Sequence, residues 1–249
     1  MDSEAARRDD VVPTDWGRRD SVVSVFEARR SSSIEYLHFY IEPNERAYWI
    51  QRLPELHNLK YLEVKSRPNQ ELFEAICSIP NLERLNMYWS NITDLTPIKN
   101  LQKLTHLCIG SSPKLSTFDP LSDLGSLVSL FIAGNHKKIT NISPVGELRS
   151  LKGLALCGAD YTTQYYDTLM PLGQLKNIIY FSLFAVKTGD RRLEFISRFE
   201  KLKYLDIQAN SYWFAADYML LHTKFPNVDC EDLKLAATDE NYRKRKRIK

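Results

Sequence analysis

The chain has 249 residues, of which 43% are hydrophobic and 26% charged, the composition of an ordinary soluble globular protein. Its formal charge of +3 does not describe the whole surface: Arg243, Lys244, Arg245, Lys246, Arg247 and Lys249 place six positive charges in the last seven residues, and subtracting six from +3 leaves −3 on the body. No run approaches the roughly 18 apolar residues of a spanning helix, and no apolar segment follows the charged residues 1–10 as a secretory signal requires.

Residues 1–18 are polar and read as a disordered N-terminal segment. From 19 to 235 the chain reads as one elongated unit with caps. Its first element, residues 22–26, is expected to pair as a hairpin with the stretch from Ile34 onward, with a short helix over 21–29 as the alternative.

An apolar triplet then returns at near-constant period. It begins as Ile34-x-x-Leu37-x-Phe39, Leu59-x-x-Leu62-x-Val64, Leu82-x-x-Leu85-x-Met87 and Leu104-x-x-Leu107-x-Ile109. It continues as Leu127-x-x-Leu130-x-Ile132, Leu151-x-x-Leu154-x-Leu156, Ile178-x-x-Phe181-x-Leu183 and Leu202-x-x-Leu205-x-Ile207, with offsets of 25, 23, 22, 23, 24, 27 and 24 residues. Eight matches at that period are the signature of a leucine-rich repeat. The alternating apolar residues point inward, so each triplet marks a short parallel strand.

The stretch from Leu82 through Asn91-Ile92-Thr93-Asp94-Leu95-Thr96-Pro97 to Leu101, with the second halves Phe118-Asp119-Pro120-Leu121 and Ile142-Ser143-Pro144-Val145, is similar to one particular repeat class. It resembles the 22-residue repeat of bacterial internalins and of leucine-rich-repeat regulatory subunits of protein phosphatases, well over residues 82–150 and loosely outside them. The resemblance implies an α/β fold: a right-handed solenoid with a parallel concave sheet of about eight strands and a convex side mixing helices with 3₁₀ turns. Longer repeats should carry helices over 44–52, 68–77, 161–170, 188–199 and 211–222. The asparagine ladder is incomplete, with Asn135 and Asn210 in two repeats, Ser90 and Ser112 in two others, and Arg67, Ala159 and Val186 elsewhere. Irregular turns are expected at the last three.

Toward the C-terminus, Tyr212, Trp213, Phe214, Tyr218, Met219, Leu220 and Leu221 should cover the open end of the array, and residues 225–228 look like a degenerate ninth strand. Residues 236–249 read as a basic disordered tail.

Residues between the template positions project from the concave face in three columns. The first is Tyr36, Tyr61, Arg84, His106, Ser129, Gly153, Tyr180 and Tyr204; the second His38, Glu63, Asn86, Cys108, Phe131, Ala155, Ser182 and Asp206; the third Tyr40, Lys65, Tyr88, Gly110, Ala133, Cys157, Phe184 and Gln208. The centre is small-residue and smooth, with aromatic rims. The candidate partner-binding residues are Tyr61, Arg84, Tyr88, Trp89, His106, Phe131, Tyr180, Phe184, Tyr204 and Asp206, since aromatic residues and Arg dominate interface energetics.

Catalytic and cofactor chemistry finds no support. The five histidines make no i,i+4 pair, His38 and His106 lie about three strand spacings apart, too far for one metal ion, and no GxGxxG, Walker or GxSxG sequence occurs. The four cysteines stand singly, as free thiols of a reducing compartment do. The expected function is a cytoplasmic, non-enzymatic scaffold (nuclear if eukaryotic) without a cofactor, metal or membrane contact. It recognises a protein on the concave face and regulates or neutralises it as an adaptor, inhibitor or immunity protein. The alternative is nucleic-acid association through residues 243–249, with the solenoid as tether.

Overall fold

The computed structural model describes residues 33–159 and 162–249. The expected N-terminal segment and the hairpin or helix over 21–29 lie outside these residues. Within them, each apolar triplet builds one rung of an eight-stranded parallel sheet. The rungs are β1 Tyr36–Phe39, β2 Tyr61–Val64, β3 Arg84–Trp89, β4 His106–Ser111, β5 Ser129–Ala133, β6 Gly153–Cys157, β8 Tyr180–Phe184 and β10 Tyr204–Ile207, in the order β1-β2-β3-β4-β5-β6-β8-β10. The middle template residues Leu37, Leu62, Leu85, Leu107, Leu130, Leu154, Phe181 and Leu205 stand in one register row and are all buried. A strand slipped by one residue would turn that row outward, so burial locks the phase.

The returns differ along the array. The first two repeats return through helices α1 (Arg46–Arg52) and α2 (Gln70–Ile76); the Asn69 side chain caps the second by accepting from the Leu72 amide at 3.2 Å. The next five return through 3₁₀ turns at Thr96–Asn100, Asp119–Asp123, Ser143–Glu147, Met170–Gln174 and Glu194–Arg198, four of them with Pro in the first turn. The helices expected over 161–170 and 188–199 are therefore absent. Instead Gln164–Tyr166 (β7) and Val186–Thr188 (β9) form a second, two-stranded parallel sheet. Burial explains the difference. Gln164 and Tyr166 turn inward while Tyr165 faces out, and Val186 and Thr188 turn inward while Lys187 faces out. That period of two fits a strand and not a helix.

A buried polar file also runs through the turns, built from Ser66, Ser90, Ser112, His136, Gln164 and Thr188. Ser90 Oγ and Ser112 Oγ lie 2.6 Å apart, and Ser112 Oγ donates to the Gly110 carbonyl at 3.0 Å. The Gln164 amide accepts the His136 N–H at 2.9 Å and donates to the Ile139 carbonyl at 3.1 Å. The side chains of Asn135 and Asn210 bond within their own turns: Asn135 accepts from the Lys137 amide, and Asn210 accepts from the Tyr212 amide and donates to the Gln208 carbonyl. The repeats of Ala159 and Val186 are the irregular ones, carrying an antiparallel bridge Ala159↔Thr162 and a left-handed Ala185 (φ 50°).

Three helices close the C-terminal end: α3 Ala215–Lys224, α4 Glu231–Thr238 and α5 Glu240–Lys246. Carboxylates take up main-chain amides at this end. Asp217, fully buried, accepts from the Leu193 amide at 3.1 Å, and burial pushes its carboxyl above the ordinary range. Asp232 accepts from the Ala209 amide at 2.8 Å and from the Tyr242 hydroxyl at 2.6 Å. The degenerate ninth strand amounts to a single bridge between Tyr204 and Asp229. Trp213, Tyr218 and Leu221 cover the core as expected, whereas Phe214, Met219 and Leu220 are exposed.

The basic tail corrects the expectation of disorder. Tyr242 and Ile248 are buried, Arg243 donates to the Ala236 and Ala237 carbonyls at 3.1 and 2.9 Å, and the Ala215 amide donates to the Lys249 carbonyl at 2.8 Å. Two apolar anchors are enough to fold a segment whose charge pattern alone reads as solvated.

Candidate partner-binding face

Two of the three concave columns are complete register rows, and the third is one from Ala133 through Cys157 to Phe184. Tyr36, Tyr61, Arg84, His106, Ser129, Gly153, Tyr180 and Tyr204 are register partners in sequence, as are the eight residues of the second column. At about 4.8 Å per strand they span about 35 Å. The side chains divide that face into unlike regions.

At the N-terminal end a polar network centres on Glu63. Glu63 accepts from Lys65 Nζ at 2.5 Å, from Asn86 Nδ2 at 3.4 Å and from the Tyr61 hydroxyl at 3.5 Å, and lies 3.4 Å from His38 Nδ1. Burial and the adjacent Glu63 carboxylate push the Tyr61 hydroxyl well above its usual range. Lys65 in turn sits 5.4 Å from the centre of the Tyr88 ring. Tyr61, Arg84 and Tyr88 are half-buried here, and Tyr40 is 58% exposed, an aromatic in the third column that was not among the candidates.

The centre is not the open trough of small residues that the sequence suggested. Ser129, Gly153 and Ala155 are buried, because Tyr180 and Phe131 lie against Ala155 and fill the space that small side chains leave. His106 and Tyr180, both candidates, are themselves buried, so neither offers a contact surface. What remains is an apolar floor with half-buried Phe131 and Tyr204 at its top. Gly110 has a different reason to be small: a Cβ there would lie 1.7 Å from the Tyr88 carbonyl oxygen. The Cys108 thiol is buried and held well above its usual pKa by desolvation, the opposite of an activated nucleophile.

Trp89 stands outside the columns. Strand alternation gives it the parity of Leu85 and Met87, and it sits at the end of β3 beside Ser111, 48% exposed, with its ring 6.0 Å from that of Tyr88. It belongs to the edge where strands enter their turns.

At the C-terminal end Phe184 is 46% exposed and Asp206 is exposed, accepting from Ser182 Oγ at 3.1 Å. Phe184 and Gln208 separate two grooves of about 510 and 520 Å³. One is acidic, lined by Asp206, Asp229, Glu231 and Asp232 with Tyr180 and Tyr204. The other is basic, lined by Lys187 and Arg191 with Tyr212. The candidate residues had missed the basic groove, because Lys187 and Arg191 fall outside the repeat template. Among the described residues no group of His, Cys, Asp and Glu is placed to hold a metal ion, and no helix is long and apolar enough to cross a membrane.

This architecture is that of the leucine-rich-repeat proteins, and in it the chain is similar to internalins. Solved structures with the likeness include internalin C2 of Listeria monocytogenes (24% identity, TM-score 0.53, covering 72% of this chain and 71% of that one) and the Leptospira interrogans protein LIC12759 (17%, 0.52, 72% and 44%). A third is the Listeria monocytogenes internalin inlF (21%, 0.49, 64% and 50%), of which the chain spans half the length. No family model matches the chain, and no curated protein sequence does so.

Proposed function

We propose that this protein is a non-enzymatic cytoplasmic scaffold that takes a partner protein on its concave face and regulates or neutralises it by occlusion. The observation carrying this reading is the set of exposed or half-exposed aromatic residues, Tyr88 toward one end and Phe184 with Tyr204 toward the other, that flank an apolar floor on a continuous face of about 35 Å. Rigid aromatics around a solvent-poor floor are the arrangement that concentrates binding energy. A face of this length matches a standard protein interface and exceeds what a metabolite needs.

Affinity capture with the full chain, followed by mass spectrometry, identifies the partner. The joint substitution Tyr88→Ala and Phe184→Ala is then expected to weaken capture by at least about 2 kcal/mol while circular dichroism stays unchanged. Undiminished affinity in the folded double variant overturns the concave-face reading.

The nucleic-acid alternative draws less support, because four of the six tail cations are engaged within the molecule. Arg243 bonds two carbonyls, Lys244 pairs with Glu240 at 2.7 Å, and Arg245 and Lys246 lie 5.9 and 5.6 Å from the Tyr242 ring centre. Replacing Lys244, Arg245 and Lys246 by Gln leaves capture intact under the first reading and abolishes it under the second.

A further inference from the structure

The two-stranded sheet has one edge without a strand. In a parallel pair the residues of each strand alternate between bonding the neighbour and facing away from it. The Gln164 amide donates to the Ala185 carbonyl at 3.0 Å and the Gly189 amide to the Tyr166 carbonyl at 3.2 Å, so Gln164 and Tyr166 bond toward β9. Their register partners Val186 and Thr188 must then turn their own N–H and C=O groups away from β7. At Thr188 the outward groups are taken by one side chain: the Tyr212 hydroxyl accepts from the Thr188 amide at 3.0 Å and donates to its carbonyl. Val186 has no such cap. No hydrogen bond from the described residues reaches its outward N–H or C=O, and β9 pairs with no strand other than β7. An uncapped pair of backbone groups on a residue only 6% exposed is costly to leave without a polar partner.

The groove of about 520 Å³ opens beside that edge, walled on the far side by Asn210, Ser211 and Tyr212. Two cations flank it. Lys187 lies 5.5 Å and Arg191 5.1 Å from the Tyr212 ring centre, and Arg191 is also stacked 5.0 Å from Phe214. The Arg191 guanidinium is held by main-chain oxygens, Nε donating to the Tyr212 carbonyl at 2.8 Å. Among the described residues neither Lys187 nor Arg191 has a carboxylate partner within ion-pair distance. The site therefore combines an unpaired strand edge with two positive charges that no carboxylate among the described residues neutralises.

We infer that this groove receives an extended acidic peptide segment of a partner protein, which adds a strand to β9 by pairing with Val186 and sets a carboxylate side chain against Lys187 and Arg191. Main-chain pairing supplies affinity and the charged pair supplies selection, as in other strand-addition interfaces. The inference stands apart from the concave-face reading, since it uses the strand-end edge and none of the concave columns beyond Phe184 and Gln208.

The test uses blocked peptides on the full chain, read by amide NMR. The probe is an acetylated, amidated heptapeptide alternating threonine with glutamate; its controls are the lysine counterpart and a version N-methylated on alternate residues. The glutamate peptide at millimolar concentration is expected to shift the Val186 and Lys187 amides and slow Val186 hydrogen exchange at least about tenfold, by protecting an edge amide. The lysine and N-methylated peptides are expected to do neither, and the full chain with Arg191→Glu should lose the response while Lys187→Glu weakens it. An unmoved Val186 amide, or equal shifts with the lysine peptide, overturns the proposal. So does a full response from the N-methylated peptide, which would mean attraction by charge alone.

Discussion

His136 offers the sharpest test of the buried polar file. Its ring is completely enclosed, edge-on to Phe118 at 5.3 Å, with Nε2 3.1 Å from the Ala133 carbonyl. Desolvation pulls its pKa from 6.5 down to about 4, against the smaller opposing effect of the Ala133 carbonyl. The folded pKa lies below the unfolded one, so the ring is neutral in the fold and the unfolded chain takes up its proton first. Stability from this group is thus fully present above about pH 6.5, declines as pH falls, and is gone below about pH 4. At 1.36 kcal/mol per tenfold change in proton affinity, a drop of 6.5 − 4, or about 2.5 pH units, gives about 3 kcal/mol. Urea unfolding at a series of pH values from about 7 to 4 should show that decline in the native protein. His136→Asn, which keeps a donor and cannot titrate, should lose less stability over the same range, by about 3 kcal/mol. The remaining titratable groups are present in both proteins and cancel in the comparison. Parallel stability curves, or a ring titrating near 6.5 by NMR in the folded protein, would refute the argument.

Four further outcomes follow from the packing. Leu130→Ala in the central register row should cost about 2–5 kcal/mol by denaturant unfolding, and hydrogen exchange should show fraying of the flanking strands. Gly110→Ala forces a Cβ into the Tyr88 backbone and should cost at least about 2 kcal/mol, whereas Gly125→Ala, with nothing within 4 Å, should shift the melting temperature little. Asp232→Ala leaves the Ala209 amide and the Tyr242 hydroxyl without their acceptor, and should lower stability by about 1–3 kcal/mol with faster proteolysis of the last two helices. Truncation after Tyr242 removes buried Ile248 and the Lys249 carbonyl that accepts from Ala215, and should lower the melting temperature by several degrees, where a disordered tail would leave it unchanged.

The eight rungs were legible because the triplet carries both spacing and phase: one Leu per turn of the solenoid fixes which neighbours face inward. The 3₁₀ returns of residues 82–150 were legible for a similar reason, since Pro97, Pro120 and Pro144 recur at the same place in their turns. The second sheet was not, because Gln164–Tyr166 and Val186–Thr188 are three residues each, too short for their period to show against a competing helical spacing. The tail was misread on charge, which is blind to the pairing of Tyr242 with Asp232 ten residues earlier. On the concave face, membership of the first two columns was correct, but depth within a column was not. Whether Tyr180 stands up or lies down depends on the space its neighbours Gly153 and Ala155 leave, a property of adjacent strands rather than of any one repeat.

The file of turn residues has a consequence for the length of the molecule. Serine meets serine between the third and fourth repeats, histidine meets glutamine two steps on, and threonine meets a tyrosine hydroxyl after that. In the last two the glutamine and the tyrosine bond a main-chain amide of the repeat before, so each junction depends on the one side chain that supplies the acceptor. An array of identical units can gain or lose one by recombination without noticing, but here a duplicated or deleted unit would bring a mismatched pair together in a dry interior. The protein has traded the extensibility of a uniform repeat for a fixed number of rungs, and so for a face of one defined size.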